Sequence, residues 1–420
     1  MKQYVIIGNG VAAAGCIEGI RTIDPAGQIV VISGENHPVY CRPLISYYLE
    51  GKTSLDKMNY RDQDFYEKNG CKVIYGKKAV QIDPAAKTVV LDNCADIPYD
   101  KVCVAAGSTP FVPPFAGLET VEKKFPFMTL DDTLSLESAI EKSSRVLIVG
   151  AGLIGLKCAE GLRERVGSVT VCDLADRVLS SILDSECASI MQKQLEAHGI
   201  EFMLGDSAQS FQGNKALMRS GREVDFDVLV LAVGVRANTS LVKEIGGNVN
   251  RGILVNQKME TSIPEIFAAG DCTEGQDISF GANRVLAILP NAYMQGKCAG
   301  INMAGGYAVH DKAIPMNSIG FFGLHAMTAG SYFCEADGGK MYEEKENGIL
   351  KRFFIKDGFL TGYILTGYIL IGDIAGAGIY TSLIREKIPL ETIDFEMLRK
   401  AATLAAMPKE NRGKKLGGVV

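Results

Sequence analysis

The sequence has no excess of positive charge and no dense basic block. Its 44 lysines and arginines are outnumbered by 49 aspartates and glutamates, which gives a net charge of -5. Proteins that follow the phosphates of a nucleic acid need a clustered positive surface. Nucleic acid is therefore not expected as a partner.

Closely spaced cysteine pairs are also missing. None of the 11 cysteines belongs to a Cys-x-x-Cys pattern. The spacing argues against a tetrathiolate zinc site, an iron-sulfur run and a local dithiol redox pair, and no metal is expected. The cysteines are scattered and mostly lie in apolar runs, which is typical of a reducing compartment.

The sequence lacks a clear membrane-spanning segment. Its most apolar stretch, residues 359–378, contains five glycines and Asp373, which is unlike a membrane span. The first residues, MKQYVIIG, lack the layout of a signal peptide, so a cytoplasmic location is expected. Hydrophobic residues make up 47% of the chain. This is the composition of a folded protein. At ~150 residues per domain, the chain length of 420 residues predicts about three domains.

A glycine-rich turn follows the first apolar run. The run VII (residues 5–7) leads into GNGVAA (residues 8–13) and a stretch compatible with a helix through Arg21. In such a strand-turn-helix unit, Gly8 permits the tight turn, Gly10 lets the backbone approach a pyrophosphate, and Ala13 lets the helix pack closely. Glu35 follows a second predicted strand, residues 28–33, where a carboxylate binds ribose hydroxyls. The pattern predicts dinucleotide binding.

The same pattern returns at residue 145. The run RVLIV (residues 145–149) precedes a predicted helix to residue 165 and a turn that supplies Gly150, Gly152, Ile154 and Gly155. A strand at residues 168–172 then ends at Asp173. A carboxylate there accepts hydrogen bonds from a ribose 2'-OH and repels a 2'-phosphate, so NADH is predicted over NADPH. Arg177 keeps an alternative open, since it is either a partner for a 2'-phosphate or a solvated helix residue.

Two fingerprints in one chain imply two bound dinucleotides, and the useful pair is a flavin and a nicotinamide. Hydride transfer between them is carried by the cofactors themselves. No catalytic side chain is therefore predicted.

Further motifs support a family resemblance. They are YCRPLIS (residues 40–46), YDK (99–101), AGSTP (106–110), GVRAN (234–238), TSIPEIFAAGD (261–271) and NAYMQG (291–296). With the two fingerprints, they make the chain resemble the FAD- and NAD(P)H-dependent pyridine-nucleotide oxidoreductases. Within these it is most similar to the rubredoxin reductase group and to the flavoprotein N-terminal part of the large nitrite reductase subunit.

The resemblance implies several FAD contacts. Asp271, after Gly270, is expected to bind the ribityl or pyrophosphate region, with a helix N-cap as its alternative role. Arg42 and Pro43 are expected near the flavin, and a surface ion pair is the alternative for Arg42. The backbone of Val80 is expected to meet the adenine.

The resemblance also implies a helix start at the flavin and two passages between nucleotide domains. Pro290, Asn291 and Ala292 are expected to point backbone N-H groups at the flavin C2 carbonyl. Gly107 and Gly234 mark the passages between the two nucleotide domains, and Ala106, beside Gly107, is expected among the cofactor-binding residues.

Two of the departures from the family pattern bear on the chemistry. Tyr47 stands where thiol-dependent relatives carry a redox cysteine, so disulfide and peroxide chemistry lack their nucleophile. Lys157 stands where many relatives have Glu. It either contacts the nicotinamide carboxamide or is an exposed lysine of an amphipathic helix.

The expected fold class is α/β, with two Rossmann-like dinucleotide-binding domains in a glutathione-reductase-like arrangement and a small C-terminal α+β domain. The FAD domain is predicted at residues 1–110 and 240–306, and the NAD domain at 111–239. An interface domain at 307–400 and a tail at 401–420 follow. In the interface domain TGYIL occurs twice in succession, at residues 361–365 and 366–370. A bulge or loop must absorb the second copy, because a five-residue insertion reverses the alternation of side chains along a strand.

The expected activity is transfer of a hydride from NADH to FAD and of electrons to a small redox protein of the rubredoxin or ferredoxin type. Two alternatives stay open. One is a flavin-only NADH oxidase that reduces O2, and the other is an electron-input subunit of a larger redox complex. A homodimer is a further possibility.

Overall fold

The computed structural model describes residues 1–332, 339–357, 362–409 and 412. These residues form two compact units. The first contains Met1–Ser181, Leu195–Gln276 and Asn283–Asp311, and the second contains Ile182–Gln194, Asp277–Ala282 and the chain from Lys312 onward.

Short strands and helices follow one another through the first 239 residues. Residues 1–110 contain β1 (Gln3–Ile7), α1 (Val11–Ile23), β2 (Gln28–Ile32), α2 (Leu44–Leu49), α3 (Phe65–Lys68), β3 (Cys71–Ile74), β4 (Ala79–Asp83), β5 (Thr88–Leu91), β6 (Asp96–Pro98), β7 (Lys101–Val104) and β8 (Ser108–Pro110). Residues 111–239 contain β9 (Lys124–Pro126), α4 (Leu130–Ala139), β10 (Arg145–Val149), α5 (Leu153–Leu162), β11 (Ser168–Asp173), α6 (Ser185–Ala197), β12 (Ile200–Leu204), β13 (Ala208–Gln212), β14 (Lys215–Met218), β15 (Glu223–Asp225), β16 (Val228–Leu231) and β17 (Val235–Ala237).

The remaining elements complete the first unit and build the second. They are α7 (Ser240–Lys243), β18 (Ile253–Leu254), β19 (Ile266–Ala268), β20 (Thr273–Asp277), β21 (Ala282–Arg284), α8 (Leu289–Met303), β22 (Met316–Phe321), β23 (Leu324–Gly330), β24 (Lys340–Glu346), β25 (Ile349–Asp357), β26 (Tyr363–Ile371), α9 (Ala377–Arg385) and α10 (Phe395–Lys400).

Two parallel five-stranded sheets organise the first unit. Their strand orders are β19-β7-β1-β2-β3 and β12-β11-β10-β16-β9. The central strands β1 and β10 are apolar and buried along almost their whole length, as strands with both faces covered should be. In both sheets the glycine fingerprint connects a central strand to the helix that follows it.

The second unit is built on one antiparallel sheet, in the order β22-β23-β26-β25-β24. The helices α9 and α10 pack on it, and the buried rings of Phe353, Tyr368 and Tyr380 lie in the shared core. The predicted fold class, two Rossmann-like sheets with a C-terminal α+β region, is confirmed.

A β-bulge lies at the junction of the tandem repeat. In β26, Leu365 pairs with Ile355 and Gly367 pairs with Phe354, so Thr366 is the extra residue. The Thr366 hydroxyl donates a hydrogen bond of 3.1 Å to the Phe354 carbonyl. An extra residue in one strand restores the alternation that the insertion would otherwise reverse.

The bulge directs both copies of the repeat to the same core. Leu365 from the first copy and Tyr368 and Leu370 from the second belong to one buried cluster. The prediction that a bulge or loop absorbs the second copy is therefore confirmed. Thr361, the first residue of the repeat, lies outside the described residues.

Candidate functional site

The first fingerprint forms a tight turn with open space above it. Gly8 has φ +109°, and a Cβ there would overlap the Ala105 carbonyl, so this turn requires glycine. Gly10 is the N-cap of α1, which has no side-chain cap, and a Cβ on it would meet no atom within 4 Å. The exposed N-H groups at this helix start suit a phosphate.

The helices α1 and α8 approach each other through glycines on both sides. A Cβ on Gly15 would overlap the Tyr293 carbonyl, and one on Gly296 would overlap the Ala12 carbonyl. Gly19 and Gly300 make equally close backbone contacts. Our sequence reasoning missed these four glycines, although their spacing of four residues in each helix is a readable signal for close helix packing.

Asp271 is a half-buried carboxylate that accepts no hydrogen bond from any described residue. Burial raises its pKa, while the charge of Arg42 acts in the opposite direction. The alternative role as a helix N-cap is wrong, because the chain after Asp271 turns into β20. The preceding Gly270 has φ +83°, and its N-H donates 2.8 Å to the buried Gln295 side chain.

Arg42 lies in a hydrogen-bond network that links the segment after β2, residues 35–42, to α4. Its guanidinium pairs with Glu35 and donates 2.8 Å to the Tyr40 hydroxyl. The same hydroxyl donates 2.7 Å to Glu35 and accepts 3.0 Å from the N-H of Leu130, the first residue of α4. Burial raises the pKa of Tyr40, so its hydroxyl stays protonated and can donate. Tyr40 is a further residue of the site that sequence reasoning did not single out.

The start of α8 presents a second uncapped helix terminus. Pro290 lies in its first turn, and Ile288 provides no side-chain cap. Asn291 is buried and is fixed by its own donation of 3.1 Å to the Leu286 carbonyl and by a 2.8 Å contact with His310. Ala292 is buried beside it.

The two passages between the parallel sheets meet as an antiparallel pair, β8 with β17. Asn238 holds them together, because its side chain donates 2.8 Å to the Ala106 carbonyl and its N-H donates 3.0 Å to the Gly107 carbonyl. Gly107 and Gly234 both have positive φ, +65° and +121°.

The second fingerprint repeats the geometry of the first. Gly150 has φ +118°, and a Cβ on it would overlap the Ala232 carbonyl. Gly152 is the uncapped N-cap of α5 and faces open space. A Cβ on Gly155 would overlap the Gly150 carbonyl, so the third glycine permits close helix packing, as expected. Ile154 lies half-buried in the first turn of α5.

The Asp173 carboxylate is hydrogen-bonded to the second glycine fingerprint. It accepts 2.6 Å from the Ala151 N-H and 2.8 Å from the Ala175 N-H. Arg177 donates 2.8 Å to Asp176. It lies in an irregular segment after β11 and not on a helix, so its interpretation as a solvated helix residue is wrong.

Lys157 lies on α5 with its ammonium 4.8 Å from the centre of the Tyr47 ring on α2. It also pairs with Glu160, and its side chain is only 20% exposed. Val80 lies elsewhere, in β4 of a small antiparallel sheet, with half of its surface exposed.

The residues present fit two dinucleotides. The central strand of each parallel sheet is followed by a glycine with positive φ and by a helix without a side-chain cap. The N-cap of that helix is a glycine with no atom near its Cβ position. The first sheet also offers Asp271, a carboxylate without a hydrogen-bond donor among the described residues. Such a half-buried acceptor suits the hydroxyls of a ribityl chain. The fold and site define an oxidoreductase that binds two dinucleotides.

The chain belongs to the pyridine nucleotide-disulphide oxidoreductase family, whose model matches residues 2–296. The predicted cofactors, FAD and NAD(H), are those of this family, and the prediction of an oxidoreductase is confirmed. No helix in the described part of the chain is long and apolar enough to cross a membrane.

Several relatives are similar over most of the chain. The NADH-dependent phenylglyoxylate dehydrogenase subunit epsilon of Aromatoleum evansii is 32% identical, with 86% of this chain and 87% of the relative covered. The nitrite reductase [NAD(P)H] of Bacillus subtilis is 31% identical over 86% of this chain, which spans 45% of that relative. An NADH oxidase of Methanocaldococcus jannaschii is 34% identical, with 72% of this chain and 70% of the relative covered.

Solved structures show the same fold. The putidaredoxin reductase-putidaredoxin complex matches with TM-score 0.86 and 20% identity, covering 96% of this chain and 97% of that chain. The NADH:rubredoxin oxidoreductase of Clostridium acetobutylicum matches with TM-score 0.74 and 23% identity, covering 94% and 97%.

Proposed function

We propose that this protein takes a hydride from NADH onto FAD and passes the electrons to a small redox protein of the rubredoxin or ferredoxin type. The observation that carries the proposal is the packing of α2, from the FAD segment, on α5, from the NAD segment. This contact brings the two nucleotide segments together. The only cysteine on these two helices is Cys158, which is fully buried.

The raised thiol pKa values of two cysteines within the FAD segment, Cys41 and Cys272, support electron transfer without a thiol. Burial raises the pKa of Cys41 and raises the pKa of Cys272 to about 12. A thiol with a raised pKa is a poor nucleophile at neutral pH. Solved neighbours that include a putidaredoxin reductase-putidaredoxin complex and a rubredoxin oxidoreductase support a small redox partner.

When bound, FAD and NADH supply the redox chemistry, in which two electrons and a proton leave NADH as a hydride. The chain's residues bind and orient. We assign Gly8, Gly10 and Ala13 to the FAD pyrophosphate and Gly150, Gly152, Ile154 and Gly155 to that of NADH.

The remaining FAD residues are assigned in the same way. Glu35 binds the adenosine ribose, with Arg42 and Pro43 toward the flavin and Val80 at the adenine. Asp271, after Gly270, accepts from the ribityl hydroxyls. The N-terminus of α8, at Pro290, Asn291 and Ala292, stabilises negative charge on the reduced flavin. Ala106, Gly107 and Gly234 shape the passages beside it.

Asp173 supports NADH over NADPH. Its two backbone partners fix the carboxylate at the end of β11, where it repels a 2'-phosphate. Arg177 is held by Asp176, and we assign it to the rim of the adenosine pocket.

The test is anaerobic reduction of the purified yellow protein by NADH in a stopped-flow instrument, followed by mixing with O2 or with oxidised rubredoxin. Rapid reoxidation by rubredoxin with slow reoxidation by O2 is the expected result. Rapid reaction with O2 would instead identify an NADH oxidase, the activity named for the Methanocaldococcus jannaschii relative.

A second candidate is an electron-input subunit of a larger redox complex. It is favoured by the similarity, over 86% of this chain and 87% of the relative, to a protein named as a dehydrogenase subunit. Slow reoxidation by both acceptors, together with co-purification of an iron-sulfur or haem partner, would establish it. A homodimer and a cytoplasmic location stay predictions.

A further inference from the structure

The start of α4, a helix of the NAD segment, is held by side chains of the FAD segment. The Tyr40 hydroxyl accepts 3.0 Å from the N-H of Leu130, the first residue of α4. Arg42 donates 3.3 Å to the Met128 carbonyl just before the helix. Tyr40 and Arg42 are also the two residues that hold the Glu35 carboxylate. The start of α4 is therefore tied to a pair of side chains that we assign to FAD.

His37 adds a second connection, from the first glycine fingerprint. Its carbonyl accepts 3.2 Å from the side chain of Asn9, the second residue of that fingerprint. Its ring nitrogen Nε2 lies 2.7 Å from the Asp131 carboxylate in the first turn of α4. The fingerprint and the segment that follows β2 are thus both connected to the start of α4.

The same helix is fixed further along, at Glu137. This carboxylate accepts 2.7 Å from Arg165 and 3.0 Å from the Tyr48 hydroxyl of α2. Arg165 lies just beyond α5 and also donates 2.9 Å to the Leu49 carbonyl of α2. The helix α5 begins after Gly152, which we assign to the pyrophosphate of NADH. A continuous path of contacts therefore joins the FAD segment, α4 and the fingerprint helix of the NAD segment.

The start of α4 is capped by its own residues and does not depend on Tyr40. The Thr129 hydroxyl accepts 3.0 Å from the Asp132 N-H, and the Asp132 carboxylate accepts 2.8 Å from the Thr129 N-H. This capping box stabilises the first turn. A displacement of that turn is carried to Glu137, because a helix with its ladder of backbone hydrogen bonds moves as one body.

We propose that α4 couples the FAD and NADH sites, with Tyr40 as the positioning residue that connects Glu35 and Arg42 to the helix. The inference rests on the proposed function, because it requires both dinucleotides to bind this chain. A ligand that fixes Glu35 and Arg42 should fix α4 as well. Through Glu137 and Arg165, the position of α5 follows. Because coupling between binding sites is reciprocal, each dinucleotide should bind more tightly when the other is present.

The first test measures NAD+ binding by calorimetry on the protein saturated with FAD. Tyr40→Phe keeps the buried ring and removes the hydroxyl that joins Glu35 and Arg42 to Leu130. It should weaken NAD+ binding about fivefold, at the lower end of couplings between sites, although Tyr40 belongs to the FAD segment. NAD+ is the probe because it carries no hydride and leaves the flavin oxidised.

Tyr99→Phe is the matched control within the FAD segment. Tyr99 is 5% exposed, against 7% for Tyr40. Its hydroxyl makes no hydrogen bond to any residue that the structure describes. Tyr99→Phe therefore removes a buried hydroxyl without breaking a contact to α4, and it should leave the NAD+ affinity unchanged.

A double-mutant cycle tests the path itself. Glu137→Gln keeps the size of the side chain, removes the charge that faces Arg165 and should also weaken NAD+ binding. If both changes act through α4, the double variant Tyr40→Phe/Glu137→Gln should bind NAD+ about as weakly as the weaker single variant, whereas independent changes would multiply their factors. His37→Leu removes the separate contact with Asp131 and should show the same non-additivity with Glu137→Gln.

The outcomes separate this inference from the proposed function. An NAD+ affinity that Tyr40→Phe leaves unchanged, equal losses in Tyr40→Phe and Tyr99→Phe, or multiplied factors in the double variants would each overturn the coupling through α4. If the wild-type protein with FAD bound neither binds NAD+ nor is reduced by NADH, the proposed function itself fails.

Discussion

The Asp271 carboxylate lowers the stability of the folded chain when no cofactor is bound. It is half-buried, it accepts no hydrogen bond from a described residue, and burial raises its pKa. A buried charge without donors destabilises a fold. Such a loss of stability is expected of a group whose hydrogen-bond donors belong to a bound ligand.

A change at Asp271 should therefore separate stability from binding. The folded protein binds more protons than the unfolded chain between the ordinary pKa of 3.8 and the raised value, so its stability falls as pH rises through that interval. Asp271→Asn should raise the melting temperature of the FAD-free protein at pH 7 and weaken FAD binding about tenfold or more.

Thermal melts at several pH values and FAD titrations of the stripped protein measure these two effects. The stabilisation should vanish below about pH 3, where the carboxyl is protonated in both states. Asp62→Asn, at an exposed position, is the control and should change neither quantity. Tighter FAD binding by Asp271→Asn would contradict the assignment.

The proposed ribose role of Asp173 would add to a structural role that its backbone hydrogen bonds show. The carboxylate accepts the N-H groups of Ala151 and Ala175. Asp173→Arg should lower kcat/KM for NADH about tenfold or more and shift preference toward NADPH. NADPH use should stay below the wild-type NADH level, because the turn loses two anchors. Unchanged preference in steady-state kinetics would exclude the ribose role.

At the scale of elements, the contact between α1 and α8 should set the geometry of the proposed FAD site, since we assign the first turns of both helices to it. Gly296→Ala should force α8 away from the Ala12 carbonyl and destabilise the protein by ~1–3 kcal/mol, as overpacking does. FAD should bind more weakly because both helix N-termini shift.

Gly378→Ala is the matched control for that change. Gly378 also lies within a helix, α9, but a Cβ there meets no atom within 4 Å. This substitution should stabilise by ~0.4–1 kcal/mol. Urea unfolding followed by circular dichroism compares the two variants, and equal effects would show that the close approach is not what requires Gly296.

The bulge in β26 provides a second test at the scale of elements, in which two changes at Thr366 are compared. Deletion of Thr366 should turn Leu365, which is 1% exposed, to the opposite face of the sheet. We expect a loss of ~2–3 kcal/mol or more, since burial of a leucine is lost and the register is broken.

Thr366→Val keeps the residue count and loses only the hydrogen bond to the Phe354 carbonyl. It should cost about 1 kcal/mol or less. Denaturant midpoints distinguish the two changes, and a deletion as mild as the substitution would show that the repeat is not held in register by the bulge.

At the scale of the whole molecule, segments that are far apart in the sequence meet in the second compact unit. The segment Ile182–Gln194 belongs to the same compact unit as the C-terminal sheet. Arg352 of β25, only 10% exposed, pairs there with Asp184, Glu186 and Glu343. This cation joins residues more than 150 positions apart.

Arg352→Ala should consequently destabilise the second unit. It leaves three carboxylates together without their cation, and because these are partly exposed we expect ~1–3 kcal/mol, below the cost of a fully buried pair. Lys345→Met removes an exposed ion pair with Glu186 and should lower the melting temperature much less, because solvent screens an exposed pair. Melting temperatures compare the variants, and similar small losses would show that the Arg352 cluster is not a stabilising contact.

The sequence by itself determined both glycine fingerprints, the strands and helices around them and the presence of two dinucleotides. It could do so because a tight turn with positive φ at Gly8 or Gly150 is a local backbone requirement that few residues besides glycine satisfy. The need for a bulge in β26 was readable for the same reason, since the alternation of side chains is a local property. The family came from the resemblance of the chain's further motifs.

Only the tertiary structure decided which distant residues meet. Three contacts join residues far apart in the chain: the glycine contacts between α1 and α8, the hydrogen bond from Leu130 of α4 to Tyr40, and the contact of Lys157 with Tyr47. Periodicity reports which side of an element is apolar, but it does not report which element covers it. The packing of whole helices and sheets decides that, because it depends on every side chain in the core at once.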